Sequence, residues 1–156
     1  MRWLEPSWRA EAETWIRDRV DVDGAIEQPH VYPWSTVLRV PTQDGPLWFK
    51  ATMPAVHGFE PELTTVLAET CPGRVTELVE IDADRTWMLM RDAGTRLREL
   101  EPPDPDLWET ILPRYAELQI AVTPRADDLL ALGVPDERLA AIPDKVEALL
   151  GDDDTL

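Results

Sequence analysis

The sequence predicts an α+β fold: a five-stranded antiparallel sheet with one helix packed on it, preceded by an N-terminal helix and followed by an all-helical segment. Three observations predict it. The extended stretches "AIEQPHVY", "STVLRVPT" and "PLWFKATM" follow one another with only turn signals between them, as in an antiparallel meander. Two more β-rich stretches, "VTELVEI" and "TWMLMRD", flank the turn "DADR". After Gly94 the apolar residues recur at helical spacing for the remaining third of the chain.

Taken in order, the first element is an amphipathic helix from Ser7 to Val20. Its apolar face is Trp8, Ala12, Trp15 and Ile16, extended by the aliphatic stem of Arg19. "DVDG" closes it, and the three-strand meander follows, broken by Pro-Trp-Ser and by "QDG". "FEPELTTVLAETC" is a short helix, with Pro61 suited to the first turn, Leu63, Val66 and Leu67 on one face, and "PGR" as its stop. The last two strands come next. Beyond them "EPPDPD" is a rigid break, and helices are expected near 107–122, 124–132 and 136–150, with Pro113 and Pro143 kinking or restarting two of them. The division expected from this pattern is a mixed lobe over 1–94 and a helical segment over 95–156.

Composition excludes several classes. At 156 residues, 44% hydrophobic and 29% charged, the chain has the make-up of an ordinary folded domain. It holds no apolar run of about 18 residues and no signal-peptide core, so a cytoplasmic protein without a membrane partner is expected. Cys71 is the only cysteine, which rules out an internal disulfide and a multi-cysteine metal site. The net charge of −16 argues against nucleic acid as a partner, since phosphate backbones demand a basic stripe. That charge is uneven: −2 over residues 1–50, −4 over 51–100 and −10 over 101–156.

Lys50 stands out. Of 15 basic residues 13 are arginine, and only Lys50 and Lys145 are lysine, yet Lys50 sits inside the apolar strand "PLWFKATM". A compact ammonium suits a single-point contact with a phosphate, whereas arginine brings a planar fork. A lysine at a strand end also commonly snorkels into water. If its head is sheltered it needs a countercharge, and the following helix offers Glu60 and Glu62 near its start, where carboxylates also favour the positive end of the helix dipole.

The order of elements, Lys50 in "WFKA", Glu62 in "FEPEL" and the stretch "WMLMRDAG" resemble the N-terminal lobe of the aminoglycoside phosphotransferase family, a branch of the protein-kinase-like fold. The resemblance runs from about residue 30 to residue 142. It implies that Lys50 contacts the α- and β-phosphates of ATP or GTP and that Glu62 is its partner, with Glu60 as the second choice. It implies a hinge after the fifth strand, where the main chain of Arg91, Asp92 and Ala93 binds the base edge and Met90 borders the base. The turn of Pro33, Trp34, Ser35 and Thr36 would cover the phosphates, with Ser35 and Thr36 as phosphate contacts. It lacks the glycines of the protein-kinase loop. Asp92 in "RDAG" resembles a metal-binding Asp-x-Gly, but it directly follows the fifth strand, which is the place of a hinge.

Phosphoryl transfer in such a family also needs a catalytic Asp in a His-Gly-Asp type motif and an Asn and Asp for Mg²⁺. "HGF" at 57–59 lies on the wrong side of the fifth strand, and there is no other His-Gly. The resemblance therefore implies the nucleotide-binding lobe plus the helical start of an incomplete second lobe, with Mg²⁺ and a small-molecule acceptor engaged only by the complete protein. The final "GDDDTL" is expected to be a solvated tail. Leu107, Ile111, Tyr115, Leu118 and Val122 fall on one helical face that would lack its cover, so self-association through 107–150 is expected.

Overall fold

Successive side chains of a strand point to opposite faces, and along "STVLRV" and "LWFKAT" every second one, Leu38 and Val40, Leu47, Phe49 and Ala51, is buried on one face. In the computed structural model, which describes residues 1–100 and 105–151, these become β2 (Ser35–Val40) and β3 (Leu47–Thr52). With β1 (Glu27–Val31), β4 (Leu78–Asp82) and β5 (Trp87–Arg91) they form one antiparallel sheet in the order β1-β2-β3-β5-β4. Both sequence-distant β3 and β5 are interior, and their register sets Leu47 against Arg91 and Phe49 against Leu89.

The N-terminal helix α1 (Pro6–Arg17) covers one face of that sheet. It ends three residues before the expected Val20, as Arg19 and Val20 donate their N–H groups back to the Ile16 carbonyl. Trp8, Ala12, Trp15 and Ile16 are buried against Leu38, Val40, Phe49, Ala51, Trp87 and Leu89, and Trp3 of a 3-10 turn (Arg2–Leu4) joins them. The rings meet edge to face: Trp8 and Trp87 at 6.3 Å and 85°, Trp15 and Trp87 at 5.8 Å and 86°, Phe49 and Trp87 at 5.4 Å and 75°. The indole N–H groups of Trp3, Trp8 and Trp87 find no oxygen acceptor among the described residues. These perpendicular pairs set polarised ring edges against π faces, the arrangement aromatic quadrupoles favour.

The opposite face carries Val37, Lys50 and Met88 in register, and α3 (Glu60–Thr70) lies on that side, touching β4. A short helix, α2 (Pro54–His57), precedes it and was not anticipated from the sequence. The C-terminal helices are α4 (Pro105–Val122), α5 (Ala126–Ala131) and α6 (Ile142–Leu150). Pro113 lies inside α4, while Pro143 occupies the first turn of α6 and so restarts the chain, as expected. α4 touches α3, and Arg74 pairs with Glu117 at 2.7 Å. Most of the break "EPPDPD" and all but the first residue of "GDDDTL" lie outside the described residues. Among the described residues no helix is long and apolar enough to cross a membrane.

Candidate functional site

The sheet face opposite α1 leads from Lys50 to a cleft. Lys50 is one register step from Trp48 on β3, and Trp48 faces Met90 of β5. Val37, Trp48 and Met90 supply the apolar wall of a cleft of about 490 Å³, closed at its rim by Asp92, Ala93, Gly94, Arg96 and His30. That volume is within the range of small-molecule sites, and so is the mix of apolar wall and few polar groups. A second cavity, of about 410 Å³, lies between the loop after α1 and the β2–β3 turn, where Asp21 and Asp44 meet Val79 and Arg91. It has no aromatic ring, and Lys50 lines neither cavity, standing beside the cleft on the same sheet face.

The Lys50 ammonium donates to the Glu60 carboxylate. Both side chains are about three-quarters sheltered, at 27% and 25% exposure. This corrects the expectation for Glu62, which is exposed. α3 begins at Glu60, and residues two apart on a helix point about 200° away from each other. Pro61, between them, is fully buried and fixes the docking of the first turn. With Glu60 aimed at the sheet, Glu62 is left facing solvent.

Thr36 is a second correction. It pairs with Ala51 on the α1 face, opposite Lys50, and is fully buried. Its hydroxyl donates to the His30 carbonyl at 2.8 Å and accepts from Gln28 Nε2 at 2.9 Å, so nothing is left for a phosphate. Ser35 stands on the Lys50 side of the strand but is also buried, opposite Thr52.

Along the expected hinge, Met90 lines the cleft as anticipated. Arg91 contributes less main chain than expected: its N–H donates to the Glu77 carbonyl at 2.9 Å and its carbonyl accepts from Thr76 Oγ1 at 3.0 Å. Asp92 accepts from Trp48 Nε1 at 3.0 Å and from the Gly94 N–H at 3.2 Å through the same oxygen, Oδ1. Gly94 has φ +85°, a backbone region open to glycine, and this lets the chain double back onto Asp92.

Val37, Trp48, His30 and Arg96 were missed by sequence reasoning, as were Thr76 and Glu99. Trp48 had a usable signal, since a residue two before Lys50 on a strand must share its face. His30 and Arg96 had none, being 66 positions apart. Arg96 Nη2 lies 2.7 Å from His30 Nε2. A guanidinium only donates, so in a hydrogen bond between them Arg96 is the donor. The His30 ring is parallel to Tyr32 at 6.3 Å, and Tyr32 to Trp34 at 5.7 Å, forming an aromatic row along the sheet edge toward the β1–β2 turn.

Neither the known protein-family models nor the curated proteins contain a match to this chain. The chemistry therefore rests on geometry. The cleft sets an indole and two apolar side chains beside a short polar rim, and Lys50 lies on the same sheet face outside its lining.

Proposed function

We propose that the chain is the nucleotide-binding part of a small-molecule kinase resembling the aminoglycoside phosphotransferases, and that it binds ATP or GTP between the sheet and the 90–94 segment. The observation that carries this reading is the Lys50–Glu60 pair, set one register step from the cleft wall. Glu60 holds the ammonium in place with one donor, and the remaining two are available to phosphate oxygens. The base lies against Trp48, Val37 and Met90, with main-chain groups of Asp92 and Ala93 at its edge. The nucleotide supplies the transferable phosphoryl group; these residues bind and orient it.

Affinity should be modest. A nucleoside triphosphate is an anion approaching a chain of net charge −16, and one lysine meets it. A Kd no better than about millimolar, roughly −4 kcal/mol, is expected. The test is a titration of ATP and of GTP against the full chain, read by amide shifts. Changes centred on Trp48, Lys50, Glu60 and residues 90–94 support the reading, and shifts that avoid all of them refute it.

A second reading, a non-catalytic interaction module on the same fold, is favoured by the exposed apolar stripe of α4. Trp108, Leu112 and Tyr115 are 53%, 57% and 57% exposed and share one helical face.

A further inference from the structure

We infer that the cleft selects guanine over adenine and that Asp92 is the residue responsible; the inference rests on the nucleotide reading above. Asp92 is part of the cleft wall beside Trp48 and Met90. Its Oδ1 accepts from both Trp48 Nε1 and the Gly94 N–H. A carboxylate oxygen has about two acceptor positions, so Oδ1 is filled and the carboxylate is pinned at two points. Among the described residues Oδ2 has no hydrogen bond or ion pair, and it remains an open, negatively charged acceptor at the rim.

The two bases differ where this matters. Guanine presents the donors N1–H and the 2-amino group, either of which the open Oδ2 accepts in a charge-assisted bond about twice as strong as a neutral one. Adenine presents the bare N1 acceptor beside its 6-amino group, and a carboxylate facing N1 sets lone pair against lone pair. Adenine would need an N–H at that place. The Gly94 N–H is already committed to Asp92, and the Arg91 N–H to Glu77. The Asp92 and Ala93 N–H groups can donate to guanine O6 or to adenine N1 alike, so the open Oδ2 is what separates the two bases.

The test uses the full chain in two amide-shift titrations, GTP and ATP, on the unaltered protein and on Asp92→Asn. Asparagine keeps an oxygen for Trp48 and Gly94 and replaces Oδ2 with an NH₂ donor, so the pinned geometry survives while the acceptor is lost. GTP should bind about tenfold tighter than ATP, as for one hydrogen bond to a charged acceptor, and Asp92→Asn should reduce that ratio to about one or invert it. Equal affinities in the unaltered protein, or a GTP preference that persists in Asp92→Asn, overturn the role of Asp92 while nucleotide binding stands. Absence of any shift at Trp48, Lys50 and residues 90–94 with either nucleotide removes the nucleotide reading itself, and the base preference with it.

Discussion

Lys50 of β3 is held by Glu60, the first residue of α3, while Glu62 two positions on faces solvent. Each partner is sheltered enough that removing one strands the other. A double-mutant cycle of Lys50→Met and Glu60→Gln should give a coupling on the order of 0.5–3 kcal/mol, measured by chemical denaturation. The parallel cycle with Glu62→Gln should be additive. Coupling to Glu62 instead would mean that α3 docks with its first turn rotated.

Thr86, the turn residue just before β5, has φ +57°, a left-handed conformation that costs a β-branched residue on the order of 1–3 kcal/mol. It is held there by its surroundings: buried, with its hydroxyl 2.6 Å from the Thr52 carbonyl and its own carbonyl accepting from the Thr52 N–H. Thr86→Val keeps the strain and the shape but loses the hydroxyl bond. It should destabilise by about 1–3 kcal/mol, with an unchanged denaturant slope. No change in midpoint would show that the hydroxyl bond contributes nothing.

Two carboxyl groups titrate low. The Arg138 side chain and N–H bind Asp136 and lower its pKa to about 2. Burial works against the charge of Asp82, but the Arg85 guanidinium and N–H outweigh it and hold that carboxyl below its usual range. Since both are lowered on folding, their stabilising contribution is complete above the unfolded-chain value near 3.8–3.9 and fades as pH falls below it. For Asp136 that window runs down to about 2. A carboxyl-carbon titration should place Asp136 there, and Arg138→Gln should return it to the ordinary aspartate range. An ordinary value in the unaltered protein would show that the pair does not persist in solution.

The α4 stripe of Trp108, Leu112 and Tyr115 invites self-association. The expected face was partly different: Leu107, Ile111, Leu118 and Val122 are half-buried, and only Tyr115 of that set is exposed. Light scattering over a concentration series should show association that strengthens with added salt, because screening reduces repulsion between chains of net charge −16. Leu112→Glu should abolish it. A monomer at all salt concentrations would count against this use of the stripe.

The elements were legible because each has a strong local signature: β-rich stretches bounded by turn signals for β2, β3 and β5, and the Trp8, Ala12, Trp15, Ile16 spacing of α1. The need of Lys50 for a carboxylate was legible too. Which carboxylate was not, since Glu60 and Glu62 differ only in the phase of a helix whose start is set by the seating of Pro61. Thr36 was misplaced because the face of a residue on β2 relative to Lys50 depends on inter-strand register, which pairs Thr36 with Ala51 and Val37 with Lys50. The His30–Arg96 contact joins segments 66 residues apart and has no local trace at all.

Translation makes α1 before the strands that receive it. Its tryptophans rest on Phe49 and Trp87, and Trp87 follows the end of α1 by roughly 70 residues. At about 5–20 residues per second a ribosome needs several seconds to cover that stretch, and for that time Trp8 and Trp15 lack their seat. Nascent chains halted before Trp87 should bind a hydrophobic dye, and chains halted well after Arg91 should not. On that expectation the emergence of β5, rather than of the helix it receives, sets the moment at which the sheet face closes over Trp8 and Trp15.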